Sequence, residues 1–327
     1  MPTRPHRTCL VTFALAVAGG CVAVDRSPDT TAAPLAGGCP KWGCGDNSPL
    51  IDGIYFHELG LFGQSNDGGL RIVDFRKAGA SYALRVDGDR LMGDGPGLAL
   101  IGDDLVGAEI VLTDGVETYI VYVEHVSRTM SFEVAPHTPI ETYRLGYSVG
   151  PDSTTLHEDV CPEDNVLEAM IFTGDRYGAA QKTVTVGGDA DRWFNIACAG
   201  SAPAKMHIFR HTTAGSTAAT VTSQAERQAL LKMFAADYCG TGESFTFRGQ
   251  PLTWSNGWSP IGAYETFEAV WDESGALCLD VPRLAAKGGP NHDPNIGEKV
   301  SDMCPWLERC DGSVTGYVSS ANPPPGP

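Results

Sequence analysis

Eight cysteines downstream of residue 21 constrain the fold of this chain most strongly. They are Cys39, Cys44, Cys161, Cys198, Cys239, Cys278, Cys304 and Cys310. An even number of cysteines in an exported chain indicates disulfides, which hold separate segments beside one another. The sequence leaves the connectivity open; joining neighbours along the chain predicts the pairs Cys39–Cys44, Cys161–Cys198, Cys239–Cys278 and Cys304–Cys310. A zinc site is disfavoured, because the sequence contains no Cys-x-x-Cys pair.

The N-terminal segment indicates where these cysteines would reside. Arg4 and Arg7 precede an apolar stretch over residues 9–18, and small residues then lead to Cys21. A positive start, a short apolar stretch and a small-residue cleavage site are typical of a secretory signal, and the stretch is too short to span a bilayer. We therefore predict that residues 1–20 are a signal peptide and that the protein is exported.

The same segment resembles a bacterial lipoprotein signal, in which small residues precede an acylated cysteine. The resemblance implies a lipid on Cys21, which attaches the protein to a membrane, and the absence of Asp after Cys21 implies the outer membrane. Ala18 stands where such signals usually carry Leu. An ordinary cleaved signal peptide, giving an extracellular protein, is therefore the alternative. Residues 21–47, which are rich in Ala, Thr, Pro and Asp at first and end with the Cys39–Cys44 motif, are predicted to be an anchor and tether.

Glycine abundance and strand-like hydrophobic patterns predict a mainly β (α+β) protein. The chain has 39 glycines, and residues 48–150 read as apolar runs separated by turn residues. This pattern favours an antiparallel sandwich or barrel-like domain. Within it, residues 85–91 predict a hairpin with Asp87 and Gly88 at its tip. A boundary is expected near residues 150–153.

One helix is well marked in the second half. Ser223 and Glu226 form a capping-box pattern, an apolar stripe follows, and Gly240 is a natural stop. The helix is predicted over about 224–238, within a disulfide-stapled C-terminal domain over 155–312. The Pro-rich tail at 313–327 is predicted to be disordered. The net charge of −17 disfavours nucleic-acid binding, because an acidic surface repels phosphates.

The end of that helix carries a family resemblance. Ala236-Asp237-Tyr238-Cys239 is followed, in order, by Glu268, Trp271 and Cys278. This arrangement resembles the ADYC-domain proteins, which are exported bacterial proteins, and the clearest match spans about residues 155–285. The resemblance implies export and disulfides and adds no mechanism. In physical terms, Asp237 is unfavourable near a helix C-terminus, so we expect it to accept hydrogen bonds in a structural role.

Two patterns suggest chemistry and are outweighed by simpler interpretations. Gly146-Tyr147-Ser148-Val149-Gly150 matches the G-x-S-x-G nucleophile elbow, which would make Ser148 a hydrolase nucleophile. No helix pattern follows it, so Ser148 is expected to be an ordinary strand residue. His207 and His211 have a metal-like spacing that works on a helix and fails on a strand. Neither catalysis nor a metal or other cofactor is expected.

Trp254 and Trp258 flank a glycine turn and, if exposed, would stack on sugar rings. Core packing is the expectation, because tryptophans are mostly buried. The leading prediction is therefore a cell-envelope lipoprotein or secreted protein with a binding or structural role toward an unknown surface ligand or protein. An exported hydrolase using Ser148 and a carbohydrate-binding module using Trp254 and Trp258 are the alternatives.

Overall fold

The structure is a computed structural model, and it is mainly β, as predicted. It describes residues 49–95, 97–131, 137–150, 157–161, 168–178, 180–186, 192–216, 222–246, 252–255, 267–285 and 293–320. The predicted signal peptide, the lipid anchor at Cys21, the Cys39–Cys44 pair and Trp258 lie outside the described residues.

Twenty strands and three α-helices make up this part of the chain. The strands are β1 Leu50–Ile51, β2 Ile54–Tyr55, β3 Glu58–Gly60, β4 Arg71–Lys77, β5 Ala80–Ser81, β6 Ala83–Asp87, β7 Arg90–Asp94, β8 Leu100–Ile101, β9 Ala108–Thr113, β10 Thr118–Met130, β11 Pro139–Val149, β12 Glu158–Asp159, β13 Glu168–Thr173, β14 Asp175–Gly178, β15 Thr183–Val186, β16 Trp193–Cys198, β17 Thr253–Ser255, β18 Phe267–Asp272, β19 Gly275–Leu279 and β20 Tyr317–Ser320. The helices are α1 Ala202–Ile208, α2 Gln224–Ala235 and α3 Ile296–Met303. None of them is long and apolar enough to cross a membrane.

A nine-stranded antiparallel sheet organises the fold. Its order is β3-β16-β13-β11-β10-β9-β4-β5, and β12 also pairs with β11. Strands from both sides of residue 150 therefore share one sheet. A three-stranded sheet has the order β6-β7-β8, a four-stranded sheet has the order β17-β20-β18-β19, and β1-β2 and β14-β15 form two small hairpins. The predicted hairpin at 85–91 is confirmed, but its turn is Gly88-Asp89 rather than Asp87-Gly88, because Asp87 pairs with Arg90.

Two hydrophobic cores lie on opposite faces of the nine-stranded sheet. Because successive side chains of a strand point to opposite faces, β13 contributes to both. Ala169 and Ile171 pack in the core shared with the three-stranded sheet. Met170 and Phe172 pack in the core shared with α1, α2 and the four-stranded sheet. The large sheet is thus buried on both faces here, which explains the near-continuous apolar run in β13.

Helix α2 begins as predicted and ends earlier. The Ser223 hydroxyl accepts from the Glu226 N–H, and the Glu226 carboxylate accepts from the Ser223 N–H, which completes the capping box. The predicted end at 238 is wrong, because Ala236 adopts a left-handed conformation (φ 53°) and stops the helix at Ala235. The backbone turns there because the side chains of Asp237 and Tyr238 both form buried hydrogen bonds.

Three disulfides lie in the described residues, and two of them correct the predicted pairing. Cys161–Cys198 is present as expected. Cys239 pairs with Cys304 and Cys278 pairs with Cys310, so the predicted Cys239–Cys278 and Cys304–Cys310 pairs are wrong. The reason is tertiary. The Leu279 N–H donates to the Glu308 carbonyl (2.9 Å), which aligns the chain after α3 with β19 and brings Cys310 beside Cys278.

The predicted disorder of the tail is wrong for residues 317–320. These residues form β20, which pairs with both β17 and β18 inside the four-stranded sheet. The Trp271 indole N–H donates to the Ser319 hydroxyl (2.8 Å) within the protein interior. A buried partner on a central strand therefore orders this part of the tail.

Candidate functional site

A groove lies between the three-stranded sheet and the far half of the β10–β11 hairpin. Its volume is about 580 Å³, within the range of ligand pockets in proteins. Both signs of charge line it, from Asp87, Arg90, Asp103, Arg128 and Glu141. The β6–β7 hairpin and the short helix after β8 supply one wall, and β10 and β11 supply the other. Such a groove suits a ligand with polar groups of both signs.

The carboxylate of Glu141 is held in a fixed position at the groove. The side chain is buried, and it accepts from the Tyr143 hydroxyl (3.0 Å) and from the Arg128 guanidinium (3.4 Å). The Tyr143 hydroxyl in turn accepts from the Leu91 N–H (2.9 Å), which connects β11 to β7. Burial, reinforced by Glu141, raises the pKa of Tyr143 far above its usual value, so its hydroxyl remains a donor. The groove is therefore preorganised by hydrogen bonds across its two walls.

Strand β10 also presents, at this groove, an edge that no strand in the described part of the chain covers. Strand β9 pairs with β10 only over Thr118–Tyr122, and no described strand pairs with that edge farther on. The Ser131 N–H donates to the Thr138 carbonyl (2.9 Å). Because antiparallel hydrogen-bonded pairs alternate along a strand, Val126, Arg128 and Met130 direct their backbone groups away from β11. An extended chain laid along this edge would find backbone donors and acceptors.

Ser148 is an interior position of strand β11, opposite Ile120. It is only 4% exposed, and its hydroxyl bonds to that of Tyr122 (3.2 Å). His157 stacks on the Tyr122 ring with centroids 3.8 Å apart, and its Nδ1 bonds to Glu124 (3.0 Å). The serine does not occupy a strand-to-helix turn, so the geometry that a nucleophile elbow requires is absent at Ser148.

His207 and His211 do not share a helical face. Helix α1 ends at Ile208, and His211 lies beyond the helix. The His207 ring stacks on Phe172 (4.4 Å between centroids), and its Nδ1 is 2.8 Å from the Thr212 hydroxyl. Burial lowers the pKa of both histidines, that of His211 to about 4. Both imidazoles are therefore neutral groups of the interior.

Trp254 is also a residue of the interior. It is 7% exposed and contacts Phe209 and Phe234 edge-on, at 5.2 and 5.4 Å between centroids. Its ring is therefore occupied by aromatic neighbours, and a sugar ring has no face of it to stack on.

The motif residue Asp237 is buried and accepts two hydrogen bonds. One comes from the Lys232 ammonium (2.6 Å) and the other from the Gly242 N–H (2.9 Å). Lys232 donates as well to the carbonyls of Gln181 and Gly240, so it ties the end of α2 to two neighbouring loops. Burial raises the pKa of Asp237, against the opposing effect of Lys232. Asp237 thus connects backbone segments, as its unfavourable place near a helix C-terminus led us to expect.

The motif residue Tyr238 joins α2 to the four-stranded sheet. Its hydroxyl donates to Glu268 on β18 (2.6 Å) and accepts from the Arg283 N–H (3.0 Å). Arg283 is fully buried, pairs with the same Glu268 oxygen (2.7 Å) and donates to the Met233 carbonyl (2.6 Å) at the end of α2. The Tyr238 ring stacks on Trp271. The network therefore provides hydrogen-bond partners for the polar groups at the C-terminus of α2. It also connects α2 to the four-stranded sheet, which the predicted Cys239–Cys278 disulfide would have done.

No local sequence pattern marks the residues that build the groove or the partners of the motif. Arg128 and Glu141 are cross-strand neighbours, but each shares its strand with another charged residue, Glu124 or Arg144, so the sequence alone does not single them out. Lys232 and Arg283 carried no signal, because each becomes a partner of the motif only through tertiary packing.

The fold and these sites define a mainly β, disulfide-linked protein. Its motif residues Asp237 and Tyr238 form hydrogen bonds in the protein interior. The family model for the ADYC domain matches residues 102–285, more than half of the 327-residue chain. The chain therefore belongs to the ADYC-domain family. The match starts upstream of the expected 155 and includes β9, β10 and β11. No curated protein and no solved structure matches the chain.

Proposed function

We propose that this is an exported bacterial envelope protein, anchored through a lipid on Cys21, that binds an extended peptide segment of a partner at the cell surface. Three disulfides among the described residues support export, since such bonds persist in oxidising compartments. The signal-like pattern of residues 1–21 supports it independently. Binding is favoured over catalysis because Ser148, His207 and His211 are all buried and engaged within the fold.

The observation that carries the peptide assignment is the edge of β10 at the groove that no described strand covers. Val126 and Arg128 line the groove and also direct their backbone groups to that edge. A peptide strand would gain main-chain hydrogen bonds there, while alternate side chains would enter the groove. Met92 and Ile101 give the groove apolar contact surface, and Ile101 is 52% exposed.

The charges at the groove indicate a peptide of mixed composition. Arg90 and Arg128 would pair with acidic side chains, and Asp87 and Asp103 would pair with basic ones. The Arg128 side chain is 67% exposed although it contacts Glu141, so part of its guanidinium remains accessible. We therefore expect a sequence that alternates apolar residues with charges of both signs.

Panning a phage-displayed library of random linear peptides against the folded protein tests this proposal. Enriched peptides are then titrated against the native protein and three variants. Arg128→Glu reverses a charge in the groove, and Met130→Pro removes an edge N–H at a position where edge strands tolerate proline. Each should weaken binding about tenfold, equivalent to about 1.4 kcal/mol. Arg71→Glu, at an exposed position of β4 outside the groove, should leave the affinity unchanged.

Two results would contradict the proposal: no enriched peptide, or peptides whose affinity is the same in Arg128→Glu and Met130→Pro as in the native protein.

A further inference from the structure

A second polar cluster lies where β3 begins, at one edge of the nine-stranded sheet. One ligand-type atom from each of His57, Glu58 and Asp67 lies within 4.8 Å of the other two. The three side chains are an imidazole and two carboxylates, which are the ligand types that suit zinc. None of them lines the groove.

Hydrogen bonds fix the position of the loop after β3, which carries Asp67. Asn66 donates to the Glu58 carbonyl (2.9 Å) and accepts from the Leu70 N–H (2.9 Å). The Gly69 N–H donates to the Asn66 carbonyl (2.9 Å), which closes a tight turn around Asp67. Two side-chain bonds and one turn bond therefore fix the base of the loop to β3, and Asp67 is exposed on the turn.

The burial of the His57 ring is an independent observation in favour of a metal site. Both of its ring nitrogens are buried, and apart from the main chain of Tyr177 no described residue hydrogen-bonds to either of them. Buried imidazole nitrogens are normally satisfied, because leaving them unpaired is costly. The main chain of Tyr177 lies beside the ring, which is the type of neighbour that orients a metal-bound histidine.

Glu58 is already oriented by a neighbouring cation. Its buried carboxylate pairs with the Arg176 guanidinium through both oxygens, and that guanidinium lies 3.9 Å from the Trp193 ring centroid. Each carboxylate oxygen has two acceptor positions, so an oxygen held by Arg176 keeps one for a metal. Arg176 therefore fixes the position of the Glu58 carboxylate and partly neutralises its negative charge.

We propose that His57, Glu58 and Asp67 bind a zinc ion, with solvent completing the coordination. An imidazole with two carboxylates favours zinc over magnesium and calcium, which prefer sites made wholly of oxygen. Ligands about 2.1 Å from a tetrahedral ion lie about 3.4 Å apart, so from separations of up to 4.8 Å the ligand atoms need to approach one another by no more than about 1.4 Å. Asp67 supplies that movement, because it lies on an exposed turn. The ion would join the loop after β3 to the edge of the sheet.

Calorimetric titration of Zn²⁺ into the chelator-treated, folded protein tests the site. We expect one high-affinity zinc ion per chain. Asp67→Asn preserves the turn and His57→Phe preserves ring packing, and each should weaken zinc binding at least about tenfold, the lower bound for disturbing even an indirect partner of a metal site. Co²⁺ in place of Zn²⁺ should give visible absorption bands that His57→Phe abolishes.

His157→Gln is the matched control, since His157 also lies beside a carboxylate, that of Glu124. It should leave zinc affinity unchanged. The proposal is overturned if zinc fails to bind the native protein, if both site variants bind it as the native protein does, or if His157→Gln abolishes binding. Should His57→Phe fail to fold, Asp67→Asn decides alone, because Asp67 is exposed on its turn and the substitution keeps its size.

Discussion

Removing the hydroxyl of Tyr238 tests whether the family motif serves the stability of the fold. In Tyr238→Phe the ring and its stacking on Trp271 remain, and two hydrogen bonds are lost. One was donated to the buried carboxylate of Glu268 at 2.6 Å, and the other was accepted from the Arg283 N–H at 3.0 Å. Glu268 keeps the Arg283 guanidinium at 2.7 Å, so one charged partner survives.

The expected cost follows from the groups left unpaired. A hydrogen bond to a charged group contributes about 1.5–3 kcal/mol, and an unsatisfied buried N–H costs about 1–3 kcal/mol. Because Glu268 is partly compensated, we expect the free energy of unfolding to fall by about 3 kcal/mol. For a domain of this size that corresponds to a decrease in Tm of about 6–12 °C.

Urea unfolding followed by circular dichroism, at pH 7 and without reductant, measures this change. Tyr119→Phe is the matched control, because its hydroxyl also donates to a carboxylate, that of Asp114, but at 3.2 Å and closer to solvent. It should cost less than about 1 kcal/mol. Equal destabilisation by Tyr238→Phe and Tyr119→Phe would refute the structural role assigned to Tyr238.

Three further predictions concern stability. Replacing Cys239 and Cys304 together by Ser should cost about 4 kcal/mol by the chain-entropy model, and non-reducing peptide mapping should recover these two cysteines in one linked peptide; a different partner for Cys239 would contradict the fold. The pKa of His211 falls on folding to about 4 from its usual 6.5, so its contribution to stability is complete above pH 6.5 and is lost as pH falls toward 4. His211→Gln should therefore remove a loss of about 2 kcal/mol between pH 7 and pH 5 in unfolding titrations, and an unchanged pH profile would contradict this. Gly240→Ala should lower the free energy of unfolding by about 3 kcal/mol or more, because φ is +70° and a Cβ would overlap a backbone oxygen. Gly88→Ala is the control: φ is +64° and the space around it is open, so it should cost about 1 kcal/mol in thermal unfolding. Equal costs would contradict the close backbone approach at Gly240.

Local signals in the sequence predicted local structure well. The start of α2 was predictable because Ser223 and Glu226 satisfy its first N–H groups without help from the rest of the fold. The end of α2 was not predictable. The left-handed conformation of Ala236 depends on the buried partners of Asp237 and Tyr238, and these partners either are distant in sequence or have no recognisable sequence pattern. The hairpin at 85–91 was predictable for the same reason as the helix start, since its turn residues are contiguous.

Long-range contacts limited the prediction of disulfides and sites. The partner of Cys239 depends on where α3 docks, and no local pattern encodes that position. The groove combines residues of β6, β7, β8, the short helix after β8, β10 and β11, which are separated along the chain by loops and other strands. The acceptor role of Asp237 was predictable from the helix dipole, whereas Lys232 as its donor required the three-dimensional turn after the helix.

The intact mass of the protein recovered from its native membrane fraction, alkylated without reduction, tests most directly the proposal of an exported, lipid-anchored and disulfide-closed protein. We predict a chain that begins at Cys21, carries the added mass of acyl chains, and takes up no alkylating reagent at Cys161, Cys198, Cys239, Cys278, Cys304 or Cys310. A chain that retains residues 1–20 and is alkylated at these cysteines would contradict export and, with it, the proposed role at the cell surface.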